Sequence, residues 1–179
     1  MKSLIVALLV LGVLLTPSIG STFDRAEDLA DATIAWQPTR ERSRPAILQI
    51  AKIALIECAR MVRPMPDADR CPTMFLALTF RESSWHVNAV GSRGEVGLAQ
   101  IHPNNFNGLT AEQVRVPATN LHLAATLLDQ GAEVCNKWFR RPDYNERVFS
   151  VYGTGQCIKT RGARLLLRWI SAISSHERG

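Results

Sequence analysis

A mainly α-helical fold is predicted for this chain, on three observations. Apolar residues recur at helical spacing in segment after segment, and no sustained apolar/polar alternation marks a strand. Pro and Gly punctuate these segments at their ends rather than within them. The chain has 179 residues, 46% hydrophobic and 21% charged, which suits one globular domain with a full core.

The opening stretch "MKSLIVALLVLGVLLTPSIG" is set apart first. A basic Lys2, an apolar run from Leu4 to Leu15, a breaker at Pro17 and small residues to Gly20 make the layout of a secretory signal, with cleavage after Gly20. The run is short for a membrane span of about 20 residues. An uncleaved anchor is the alternative, because one Lys makes a weak basic region. Residues 1–20 are therefore read as signal, 21–44 as an N-terminal helix and linker, and 45–179 as the main domain.

"STFDRAEDLADATIAW" places Phe23, Ala26, Leu29, Ala30 and Ile34 on one helical face, with acids near its start that suit the helix dipole. "QPTRERSRP" is a polar, basic linker, and Pro45 opens the next helix. "AILQIAKIALIECARMV" is apolar on most faces, as a buried helix is. Pro64 and Pro66 stop it, and Pro72 starts "PTMFLALTFRESS", whose apolar residues cover much of its circumference. Glu82 then stands in the last turn of a buried helix. The dipole there opposes a negative charge and apolar neighbours disfavour it further, so its pKa should rise.

Residues 86–107 read as loops with one short helical turn. Thr110 is the N-cap of the short helix "TAEQVRV". "PATNLHLAATLLDQGAEVCNKWF" is a long helix with Leu121, Ala124, Ala125 and Leu128 facing inward. "PDYNERVFSVYGTGQC" gives another, ending in a glycine turn, and "TRGARLLLRWISAIS" is basic and amphipathic. That last helix packs on the core, or alternatively touches a membrane or an acidic glycan.

The net charge of +5 fits an anionic polymer or membrane surface, but no basic run is interleaved with aromatics, so nucleic acid is not a partner. Cys58, Cys71, Cys135 and Cys157 lie behind an export signal. An even count in an oxidising compartment favours two disulfides, and neighbours in sequence, Cys58–Cys71 and Cys135–Cys157, are the favoured pairing of three. No metal-ligand spacing appears. His86, His102 and His122 are surface or loop residues; Trp85 and Trp138 are packing residues by default, with stacking on a sugar as the alternative.

"ESSW" followed by "GEVGLAQIHP" resembles the soluble lytic transglycosylase family, goose-lysozyme-like enzymes that cut peptidoglycan. Members carry Glu-Ser at a helix end, then Gly-x-x-Gly-Leu-x-Gln-Ile/Val-x-Pro, then an Asn opening a helix, then a Tyr-Asn-x-Gly turn. Here these are Glu82-Ser83; Gly94, Gly97, Leu98, Gln100, Ile101 and Pro103; Asn120; and Tyr152 with Gly155. The chain departs from the pattern at Glu95, usually Ala, at Ala99, usually Met, and at Gly153, usually Asn. Its "YxTG" form resembles the accessory enzymes of conjugation and secretion machines and of some phages.

The resemblance implies a lysozyme-like helical fold and one catalytic acid, Glu82, which protonates the leaving oxygen and then takes the proton of the muramic acid C6 hydroxyl. It implies 1,6-anhydro products, no cofactor and no metal. Ser83, Gly97, Leu98, Gln100, Asn120 and Tyr152 become substrate-binding candidates: Gln100 and Asn120 by donor and acceptor contacts to sugar, Tyr152 by holding Glu82, Ser83 by bonding Glu82 or an acetamide. Gly94 and Gly97 would admit close backbone approach. Asn120 as a plain N-cap and Tyr152 as a plain core aromatic are the rival readings. Partners are glycan strands and, alternatively, a secretion, conjugation or phage assembly; the location is periplasmic. Two other functions stay open: a hydrolytic muramidase with Glu95 as second carboxylate, and a peptidoglycan-binding assembly protein without useful turnover.

Overall fold

The computed structural model describes residues 19–38, 43–61, 68–138 and 141–177. The expected signal segment lies outside them up to residue 18, as do positions 39–42 of the linker and 62–67 of the proline turn. Seven α-helices follow one another among the described residues: α1 (Ile19–Trp36), α2 (Arg44–Arg60), α3 (Cys71–Ser83), α4 (Ala111–Arg115), α5 (Pro117–Val134), α6 (Tyr144–Thr154) and α7 (Arg161–Glu177). No strand forms among them, only two isolated bridges, Val90 with Val96 and Val96 with Ile101. The mainly α expectation holds.

Local chemistry accounts for most boundaries. Prolines stand in the first turns of α2, α3 and α5, where a missing N–H costs nothing. Thr110 caps α4 as expected. Its side chain accepts from the Gln113 N–H while the Gln113 side chain accepts from the Thr110 N–H, closing a capping box.

The hub is α3. Every residue from Cys71 to Thr79 is buried, matching a sequence apolar around its circumference. Helices α1, α2 and α7 pack on it, and α2 also meets α5, which carries α6. The helix α1 contributes Ala26, Leu29 and Ala30 to the same core as Ile47 and Ile50 of α2 and Leu166, Ile170 and Ile173 of α7. Helix α7 thus packs on the core, with Arg161, Arg164 and Arg168 exposed. Among the described residues no helix is long and apolar enough to cross a membrane.

Both favoured disulfides form. Cys58–Cys71 joins α2 to the start of α3, with Cα atoms 5.9 Å apart. Cys135–Cys157 joins the end of α5 to the segment after α6, at 5.5 Å.

An aromatic cluster braces the end of α3. Phe80 lies 5.3 Å from Trp36 of α1, 4.7 Å from Trp85 and 5.3 Å from Trp169 of α7. Beyond it the chain turns sharply, with Ser84 (φ 52°) and Trp85 (φ 64°) both left-handed. Two such residues without glycine cost about 1 kcal/mol each. Burial of the Trp85 ring and its Nε1 hydrogen bond to the Leu76 carbonyl (3.0 Å) offset that cost.

Candidate active site

Past Trp85 the chain folds a tight loop over residues 89–101. Gly91 N donates to Glu95 O, Gly97 N to Ala89 O, and Val96 and Ile101 exchange both backbone bonds. Two side chains from distant helices hold it. From α5, Asn120 accepts from the Ala99 N–H (2.7 Å) and donates to the carbonyls of Val96 and Val114 (both 3.0 Å). From α6, the Tyr152 hydroxyl donates to the Ala99 carbonyl at 2.6 Å. Both polar groups of one buried alanine are thus consumed by side chains.

Loop and helices enclose an open, mostly polar cleft of about 770 Å³. One wall is the end of α3, with Arg81 and Glu82; another is the loop, with Gly91, Arg93, Glu95 and Gln100; a third is Tyr152 to Gly155. His102, Asn104 and Asn105 extend the floor, where the His102 ring caps the 3-10 turn Pro103–Asn105 by accepting from Asn104 N.

Glu82 is half-buried, its side chain 22% exposed, at the mouth of this cleft. Burial raises the pKa of its carboxyl, the Arg81 guanidinium lowers it, and the Glu95 charge raises it again; the balance is upward. Glu95 is the opposite case. Its own backbone N–H, then the Arg93 backbone and guanidinium, hold this carboxyl below its ordinary value despite burial. Arg93 donates to it from N, Nε and Nη2 at 2.7–2.9 Å. Two carboxyls in one cleft are therefore pushed apart, one towards the protonated form and one firmly ionised.

Several anticipated contacts fall elsewhere. Asn120 is wholly buried and touches backbone alone, so it reaches no sugar; nor is it the N-cap, because α5 opens at Pro117 with Val116 in the capping place. Leu98 is core, 1% exposed. Gly97 (φ 80°) does serve a close approach, but to the Asn120 amide, which a Cβ there would strike. Ser83 turns its hydroxyl back to the Thr79 carbonyl rather than to Glu82. Tyr152 lines the cleft, yet its hydroxyl goes to Ala99, not to Glu82. Burial first, and then the Glu82 charge, push the pKa of that hydroxyl up, so it stays a donor. Gln100 does line the cleft, with its amide N–H groups donating to the carbonyls of Gly97 and Ala89. Trp85 is core, and the Trp138 side chain lies outside the described part of the chain.

A half-buried acid, an ionised partner and a floor of amides suit a polysaccharide. The family model for the transglycosylase SLT domain matches residues 67–161, more than half of the chain. The chain belongs to the SLT transglycosylase family. Neither the curated proteins nor the solved structures returned a match.

As an SLT transglycosylase it is an enzyme, and its substrate is peptidoglycan. That polymer lies outside the cytoplasmic membrane, consistent with an extracytoplasmic site of action. The match spans Glu82, the loop and Tyr152, and ends at the first residue of α7. Arg81 and Arg93 are cleft residues that motif reading passed over: each looks like an ordinary surface charge, and only the fold sets it beside a carboxylate of the cleft.

Proposed function

We propose that this SLT transglycosylase cleaves the β-1,4 bond between N-acetylmuramic acid and N-acetylglucosamine with Glu82 as its one acid and base. The carboxyl proton of Glu82 goes to the glycosidic oxygen as the C1–O bond breaks. The substrate's acetamido group supports the cation-like C1. The Glu82 carboxylate then removes the C6 hydroxyl proton, and O6 closes on C1 to give a 1,6-anhydro end. One observation carries the reading: Glu82 is held towards its protonated form while the other carboxylate of the cleft is bound by Arg93.

A hydrolytic reading keeps one point in favour, that Glu95 faces the same cleft and acts electrostatically on Glu82. Product chemistry separates the two. Chain beginning at Ser21 with both disulfides formed is given purified peptidoglycan, and the soluble fragments are read by mass spectrometry beside Glu82→Gln. Anhydro-muramic ends, absent from the variant, support the proposal. Ordinary reducing ends, lost in Glu95→Gln, would transfer the reaction to the hydrolytic route.

The same reading makes residues 1–20 an export signal and the periplasm the site of action, beside a secretion, conjugation or phage assembly. The apolar run at Leu4–Leu15 and the two disulfides support export. Amino-terminal sequencing of the exported protein tests it: a start at Ser21 agrees, and a retained Met1 makes the segment an anchor.

A further inference from the structure

We propose that the Arg81 guanidinium is a receptor for a free carboxylate on the peptide stem of the glycan. The inference rests on the reading of the cleft given above and names the part of the substrate this residue takes.

Arg81 stands in the last turn of α3 and lines the cleft beside Glu82, Tyr152 and Gly153. Its Nε is 3.6 Å from Glu82 Oε1, too far for a hydrogen bond, and among the described residues no oxygen accepts from either Nη. The group is held nonetheless, with its side chain 30% exposed. A Cβ on Gly162, in the first turn of α7, would meet Nη2 at 3.0 Å and Cζ at 3.3 Å, and one on Gly153 would lie 3.9 Å from Nη2. Two glycines on two helices thus leave a slot that the guanidinium fills. A fixed, planar fork of unused N–H donors in a cleft is the arrangement that takes a carboxylate by two parallel bonds.

The other arginine of the cleft, Arg93, is engaged with Glu95, so Arg81 holds the uncommitted donors. The substrate supplies the anion. Muramic acid bears the peptide stem, whose free carboxylates recur along the strand, and it is the sugar whose C1 bond breaks beside Glu82. A stem leaving that sugar passes the neighbouring guanidinium. Occupancy also has a chemical consequence. The charged groups acting on Glu82 are Arg81 on its own helix and Glu95 on the loop, while Tyr152 on α6 faces it as a neutral hydroxyl whose own pKa the Glu82 charge helps to raise. Of these, Arg81 opposes protonation, and a carboxylate seated on it cancels that opposition. A correctly substituted strand would make its own acid more competent.

The test uses the full exported chain and three probes: glycan strands with free stem carboxylates, the same strands with those carboxylates amidated, and strands stripped of stems. Binding is measured in the Glu82→Gln background, which does not depend on turnover. Free-carboxylate strands should bind about tenfold more tightly than amidated ones, as for one charge-assisted pair. Adding Arg81→Gln should level the two, and Arg81→Lys should keep part of the difference. In protein retaining Glu82, the kcat/KM ratio should exceed the binding ratio, because the seated carboxylate also favours the protonated acid. Equal binding of free and amidated strands, or a preference that survives Arg81→Gln, overturns the proposal. So does an Arg81→Gln variant, folded by circular dichroism, that weakens all three probes alike, since the guanidinium would then read the sugar. A preference in binding without cleavage of any strand would instead overturn the catalytic reading and leave this one standing.

Discussion

Beyond its burial, Glu82 answers to two charged neighbours, Arg81 and Glu95, that act in opposite senses and are separately removable. As a general acid it should lose about 10²–10⁴-fold in kcat as Glu82→Gln, with binding retained. The acid must be protonated to act, so activity falls as pH rises through its pKa. Arg81 lowers that pKa, so Arg81→Gln should move the basic limb of the kcat/KM profile to higher pH. Glu95 raises it, so Glu95→Gln should move the limb lower. Shifts of the same sign in both variants would sink this account. The raised pKa of Glu82 was legible in the sequence because a helix end and an apolar neighbourhood are local facts. Asn120 was not. Two of its three partners lie 21 and 24 positions away, and a polar residue in a helical pattern looks the same whether it faces sugar or backbone. Asn120→Ala would orphan the Ala99 N–H and two carbonyls. About 3 kcal/mol should be lost, read as a lowered urea midpoint, with activity falling because the loop carrying Gln100 loses its support.

Among the elements, α6 is the one whose attachment matters most, because it carries Tyr152 and Gly153 to the cleft wall. Cys135–Cys157 brackets it at its far end, and replacing both cysteines by Ser should cost about 3 kcal/mol. At its near end Asp143 meets Lys159 and Arg147, and these cations, Lys159 foremost, hold its carboxyl at about 2. A depressed folded-state pKa gives stability that is present above the unfolded value and lost as pH falls towards the folded one. Between about pH 4 and about pH 2, Asp143→Asn should therefore lose less stability than the parent chain. Helices such as α4 and α5 were legible from caps, prolines and spacing. The loop was less so: its bridges join Val90, Val96 and Ile101, too few residues for a period, and the left-handed Ser84, Trp85 and Gln100 lack the glycine that usually announces such turns.

At the scale of the molecule, the family match covers the cleft but not the packing that steadies it. Helices α1 and α2 precede it and all but the first residue of α7 follows, yet Trp36 and Trp169 close the ring around Phe80, two residues before the acid. Trp36→Ala should lower stability by about 3 kcal/mol, measured as a drop in Tm. Its kcat should fall more than its KM rises if the cluster sets the position of Glu82. The helical class was plain in the sequence, whereas this ring was not, because its members come from three distant segments. The burial of α3 from Cys71 to Thr79 has one more consequence, which concerns time. A helix enclosed on every side has no partial opening of its own. Its amides from Phe75 to Thr79 should be the last in the protein to take up deuterium, and at the rate of global unfolding. The acid three residues beyond then rides on a support that should open only when the whole fold does.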